Sequence, residues 1–199
     1  MQRNYSNVSI MKSLNQDELL KILKIACESR RNHAMVLLGF KHGMRASEVC
    51  GLELKDIDLK NGEIIVRRLK GSLKTTQPLA DIQGQPLLSE RRVLRGWLDE
   101  RGNHPSRFVF VSQKSGRIHR SQLHRIFADI AERAGLPKDK RHFHCLKHSL
   151  GVSLVEANVN LAIIKQALGH KSIASTAVYT VPTDETAGKA VTTALASMF

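Results

Sequence analysis

Acidic residues are scarce in this 199-residue chain: 18 Asp and Glu face 31 Lys and Arg, for a formal net charge of +13 with histidine neutral. An excess of that size on a small body argues for a polyanionic partner, nucleic acid before an anionic membrane surface. Cysteine is equally sparse. Cys27, Cys50 and Cys145 form no CxxC pair and no even framework, which excludes a disulfide scaffold and suits a reducing compartment. No apolar run approaches the roughly 20 residues of a membrane span. The opening MQRNYSNVSIMKS lacks an apolar stretch and is read as carrying no secretory signal. Internal repeats, low-complexity tracts and linkers are missing too. Aromatics make up only 5%, with two tyrosines, Tyr5 and Tyr179. What remains is ordinary for a globular protein, 42% apolar and 25% charged, on a chain long enough for one domain with a real core.

Helical periodicity dominates. Asn15 followed by Glu18 reads as a capping box ahead of Leu19, Ile22, Leu23 and Ala26. Further helices are predicted over 32–41, stopped at Gly43, and over 46–52, 89–101, 144–157, 160–168 (stopped at Gly169) and 184–197. Another starts from a Ser121 cap and ends at Gly135 and Pro137. Residues 56–59, 63–68 and 75–79 read as strands, the β-branched Ile64-Ile65-Val66 triplet giving the strongest signal; 108–111 is too short to assign. The expected architecture is α+β and mostly helical, with a small three-stranded antiparallel sheet. Residues 1–12 are expected to form a flexible lead and 13–199 one domain.

Three segments hold chemistry-bearing residues. In GMRASE, Arg45 follows a glycine helix stop and Glu48 lies one turn on, placed to orient a guanidinium; a surface ion pair is the plainer alternative. In HCLKH, His144 and Lys147 share a helix face and can offer a proton carrier and a cation to one phosphate. The rival there is zinc, because His142, His144, Cys145 and His148 lie within seven residues; no acidic residue between the histidines and no second ligand cluster supports it. In LGHKS, His170 precedes Tyr179 by nine residues. A lone tyrosine is usually a packing residue, but a phenol attacks phosphate when several cations stabilise the reaction.

Taken together, GMRASEVCGLELKDIDL, HCLKH, LGHKSI and STAVYT resemble the tyrosine recombinases of the phage integrase family. The family order is Arg, Lys, His-x-x-Arg, His or Trp, and Tyr; here the last intervals are 3, 23 and 9 residues, and the likeness covers about residues 13–182. HGMRASEVC, DIDLKNG and RRLKGSLKTTQPL are most like the small fimbrial phase-variation invertases, which lack a separate core-binding domain; a catalytic fragment of a longer integrase is the alternative. The resemblance implies that Tyr179 is the nucleophile, taking a 3′-phosphate and releasing a 5′-hydroxyl. It implies that Arg45 clamps the phosphate, supported by Glu48, that His170 binds a non-bridging oxygen, and that His144 handles the tyrosine proton. Lys70 falls at the family's hairpin lysine, with Lys74 as the fallback. Lys147 stands where the family has its second arginine, keeping the charge and losing the two-pronged donor.

The implied activity is site-specific cleavage and rejoining of duplex DNA, by inversion, integration or excision, without metal, nucleotide or other cofactor. The implied partners are double-stranded DNA with inverted-repeat sites, a homotetramer at synapsis with the 184–197 helix exchanged between subunits (closure of the protomer's own core by that helix being the alternative), and an accessory DNA-bending protein. No membrane partner is implied, and the expected location is the cytoplasm, at the nucleoid. A catalytically weak DNA-binding regulator on the same scaffold, a type IB topoisomerase-like activity and a zinc hydrolase are the competing readings.

Overall fold

The computed structural model describes residues 13–68, 74–112, 116–179, 184–196 and 198, so the expected flexible lead lies outside the described residues. Helix α1 (Gln16–Ala26) opens on the anticipated reciprocal cap. Asn15 Oδ1 accepts from Glu18 N while Glu18 Oε2 accepts from Asn15 N, which satisfies two of the free donors at a helix start. Helix α2 (Arg30–Lys41) begins two residues earlier than the apolar pattern suggests, because the side chain of Ser29 accepts from Asn32 N and caps it. Its stretch from His33 to Gly39 is buried throughout, since α1, α4 and α6 pack around it. A Cβ at Gly39 would lie 2.5 Å from the ring of Phe143, so glycine is what allows α2 and the start of α6 to approach.

Gly43 leaves α2 with φ +54° and leads into α3 (Ala46–Cys50). The sheet is β1 (Ile57–Asp58), β2 (Glu63–Val66) and β3 (Thr75–Pro78), antiparallel in that order. Its strands are shorter than the sequence suggests. Ile64 and Val66 are fully buried, and the same alternation carries the next inward position to Arg68.

Helix α4 (Glu90–Arg101) buries Leu94 and Trp97, and Trp97 Nε1 donates to Val109 O at 3.1 Å. The unassigned 108–111 stretch makes isolated antiparallel bridges, Glu53 with Phe108 and Val111 with Arg117, rather than a fourth strand. Helix α5 (Arg120–Arg133) corrects one expectation. Its cap is His119 rather than Ser121, because the ring Nδ1 accepts from Ser121 N. Helix α6 (His144–Glu156), α7 (Leu161–Leu168), the unanticipated short α8 (Ala174–Ala177) and α9 (Asp184–Ala196) complete the order. Phe127 of α5 meets Phe143 edge to face with centroids 5.5 Å apart in the centre of the core. Ser149 Oγ accepts from Leu14 N and donates to Cys145 O, tying α6 to the beginning of α1. None of the described helices is long and apolar enough to cross a membrane.

Candidate active site

Arg45 stands at the N-cap of α3, presented by the turn that Gly43 makes possible. Glu48, fully buried on its side-chain atoms, accepts from Arg45 N at 2.8 Å and from Arg45 Nη1 at 2.9 Å. Backbone and guanidinium are therefore held by one carboxylate, while 39% of the arginine side chain stays exposed for an incoming anion.

Beneath it lies a residue that the sequence reading did not single out. Arg68 is completely buried on its side chain and donates to His42 O (2.7 Å), Gly43 O (2.9 Å), Ala167 O (2.7 Å) and Glu48 Oε2 (3.2 Å). A Cβ on Gly169 would come within 2.6 Å of Arg68 Nε, so the second glycine stop exists to admit this guanidinium. The available signal was period-two alternation from Ile64 and Val66, which points Arg68 inward. Most of its acceptors are carbonyls freed where α2 and α7 end, groups that need donors and carry the negative end of the helix dipole. Carbonyls hold a cation without cancelling its charge.

Lys147 follows the same logic. Its side chain is buried and Nζ donates to Leu168 O at 2.5 Å. Burial, with help from Arg68 and Arg45, pushes its pKa down to about 7. His144, one turn before it, keeps solvent access at the rim. Crowding by surrounding protein, then the charges of His148, Lys147, Arg45 and His142, lowers it to about 4. His170 sits just past Gly169, whose φ of +63° ends α7. Its Nδ1 lies 3.0 Å from the buried hydroxyl of Thr176, and burial followed by the nearby cations lowers it to about 4 as well. Tyr179 is half-buried, and burial raises its phenol to about 12 against the opposing pull of Arg45. Its ring stacks against that of His170 (centroids 6.3 Å, 18°) and meets His148 at a steeper angle. The hydroxyl lies 3.2 Å from His148 Nδ1.

Arg45, His144, Lys147, His170 and Tyr179 all line one open pocket of about 370 Å³, together with His148. Residues that lie far apart in the chain thus converge on one point, and Glu48 supports them from below. Lys70 lies outside the described residues; Lys74 is exposed and is not part of the pocket wall. Cys145, a member of the rival zinc set, faces the core and is fully buried, its thiol pushed up to about 12. Among the described residues no three His, Cys, Asp or Glu side chains are grouped to hold a metal ion. A larger groove of about 780 Å³ between α2 and α4 gathers Arg30, Arg91, Arg92 and Arg95 without the tyrosine or the site histidines, so composition rather than size marks the chemical site.

Residues 12–186 match the phage integrase family. The chain is 37% identical over 167 residues to the type 1 fimbriae regulatory protein FimB of Escherichia coli strain K12, covering 82% of this chain and 80% of that one. It is 34% identical over 154 residues to FimE of the same strain (75% and 74%), and 30% identical over 176 residues to the tyrosine recombinase XerA of Pyrococcus furiosus (86% and 58%). In fold it is similar to the XerH site-specific recombinase bound to its difH substrate before cleavage, with a TM-score of 0.78, 26% identity, and coverage of 94% of this chain and 56% of that one. A crystal structure of XerA recombinase is likewise similar, with a TM-score of 0.75, 28% identity, and coverage of 91% and 64%. The chain spans between half and two thirds of these two solved chains. With the family pattern running from before α1 into α9, and with Arg45, His144, Lys147, His170 and Tyr179 lining one pocket, this chain belongs to the phage integrase family, the tyrosine recombinases.

Proposed function

We propose that this chain cuts and rejoins duplex DNA at specific sites through a 3′-phosphotyrosine on Tyr179, with residues 13–199 as its catalytic domain. The observation that carries the reading is the convergence of Arg45, His144, Lys147 and His170 around Tyr179 in one pocket. In the reaction Tyr179 Oη bonds to the phosphorus, the bond to the 5′ oxygen breaks, and negative charge builds on the non-bridging oxygens. Arg45, fixed by Glu48, and Lys147, fixed by Leu168 O, stabilise that charge without having to reorganise. His170 is oriented by Thr176 and turns its other nitrogen to an oxygen, and His144 completes the wall. Lys70 is assigned protonation of the leaving 5′ oxygen. The bond energy stays in the phosphotyrosine, so a 5′-hydroxyl of the partner strand suffices for rejoining.

The net charge of +13 supports duplex DNA with inverted-repeat sites as the partner, with binding that weakens steeply as salt rises. Exposed Val191 and Leu195 on α9 support docking of that helix on a neighbouring copy in a synaptic tetramer. An accessory DNA-bending protein and a place at the nucleoid, in the cytoplasm, complete the reading.

The test is covalent trapping on nicked duplexes made from the chromosomal DNA flanking the gene. Wild-type protein should form an adduct that survives denaturation, and Tyr179→Phe should bind the same DNA and form none. An adduct in the Phe variant removes Tyr179 from the role. One observation favours a second reading, a DNA-binding regulator with weak cleavage: the Lys147 ammonium is buried against a carbonyl instead of offering a flat fork to the pocket. Binding without any adduct from the wild-type protein would support it.

A further inference from the structure

We propose that His148 is the base that takes the proton from Tyr179 during attack and returns it during rejoining. The inference rests on the reading of Tyr179 as nucleophile. Helix α6 forms a cradle for this tyrosine. Its ring lies over Gly151, where a Cβ would be only 2.6 Å from Tyr179 Cε2. The hydroxyl reaches back one turn to His148 Nδ1 at 3.2 Å, within reach of direct proton transfer. With its own proton on Nε2, the imidazole offers Nδ1 as the acceptor.

The other pocket groups are engaged elsewhere. His144, to which the family resemblance would give the tyrosine proton, touches His148 edge to face, with centroids 4.6 Å apart, and is lowered to about 4, which makes it a poor proton acceptor, so the role moves to His148. His170 presents its ring face to the tyrosine and sets Nδ1 against Thr176. Lys147 donates to Leu168 O. A phenol raised to about 12 needs such a base near neutral pH.

The step balances. Tyr179 Oη gains a bond to phosphorus, its proton passes to His148 Nδ1, and the bond from phosphorus to the 5′ oxygen breaks. The electron pair leaves on that oxygen, which is protonated by a separate acid, the role assigned to Lys70. Rejoining reverses each transfer.

The experiment measures the rate of adduct formation on the nicked flanking-DNA duplex that the wild-type protein cuts. His148→Ala should slow it by about 10²-fold, the usual contribution of a positioned base. His148→Asn keeps a hydrogen-bonding amide but accepts no proton, and should be as slow. Replacing Tyr179 by 3,5-difluorotyrosine, a more acidic phenol, should restore both variants to within about tenfold of the same fluorinated protein carrying His148. A 5′-bridging phosphorothiolate substrate, which relieves only the leaving group, should leave both defects in place. A normal rate in the Asn variant, or rescue by the sulfur substrate but not by the fluorinated tyrosine, overturns the proposal. Failure of the underlying reading has a different signature, an adduct in Tyr179→Phe.

Discussion

Two buried regions of this molecule solve opposite problems. Around α2, burial is apolar. Phe127 and Phe143 meet edge to face, Trp97 and Phe110 stack with centroids 6.2 Å apart, and Gly39 brings backbone against a ring. Removal of hydrocarbon from water stabilises this region without directional demands, beyond close packing. Below the pocket, the buried side chains are Arg68, Lys147 and Glu48. Here each cation meets carbonyls left free where α2 and α7 terminate, and one carboxylate serves two arginines. The comparison teaches how a protein keeps positive charge inside itself. Carbonyls at helix ends take most of the donors, the two arginines and the lysine outnumber the one carboxylate, and an anion at the pocket mouth would meet positive groups already held in place.

The sharpest way to break this comparison is Arg68→Met. It strips a buried donor from the carbonyls of His42, Gly43 and Ala167 and leaves buried Glu48 with Arg45 as its remaining arginine, so unfolding free energy should fall by about 3–5 kcal/mol and adduct formation should be lost. Denaturant titration and the nicked-duplex assay read the two effects, and an active, stable Met variant would mean that the guanidinium is dispensable. In the apolar region Phe127→Ala should cost a similar 3–5 kcal/mol, yet protein held well below its unfolding temperature should cleave within severalfold of wild type. Equal loss of activity in both variants would erase the distinction between the regions.

Lys147→Arg should restore a two-pronged donor and raise the cleavage rate by up to about tenfold, while Lys147→Ala should lower it by about 10²-fold. A dead Arg variant would show a site built around lysine. Gly151→Ala should push the Tyr179 ring out of its cradle and lower cleavage with almost no change in denaturation midpoint, because the displaced ring is half-exposed.

The smallest effect concerns pH. His144 and His170 are lowered to about 4 from the ordinary value near 6.5. Between those values the unfolded chain binds more protons than the folded one, so this contribution is present above pH 6.5 and is lost as pH falls toward 4. A His144→Asn, His170→Asn double variant should therefore lose less stability than wild type over that interval. Parallel curves would contradict the shifts.

Much was legible from residues alone. Asn15 with Glu18, Gly43, Gly169 and the β-branched triplet each act locally, through capping, backbone freedom or side-chain stiffness, and the structure has them in those roles. The pocket residues Arg45, His144, Lys147, His170 and Tyr179 were likewise named by type and interval. What escaped was set by distant parts of the chain. Arg68 gave only a parity signal, and its meaning depends on carbonyls 25 to 99 residues away. His148 appeared only as one of several candidate metal ligands, and the approach of Tyr179 from beyond α8 is what singles it out. Cys145 looked equally available until α6 turned it into the core.

Thus the helices, their stops and the cationic excess belong to local sequence, because caps, glycines and periodicity act within a turn or two. Which cation is buried, which nitrogen faces the phenol, and which glycine makes room for which side chain are tertiary decisions. They depend on helix ends meeting across the fold, where distance and desolvation, rather than residue type, set what a charged group can do.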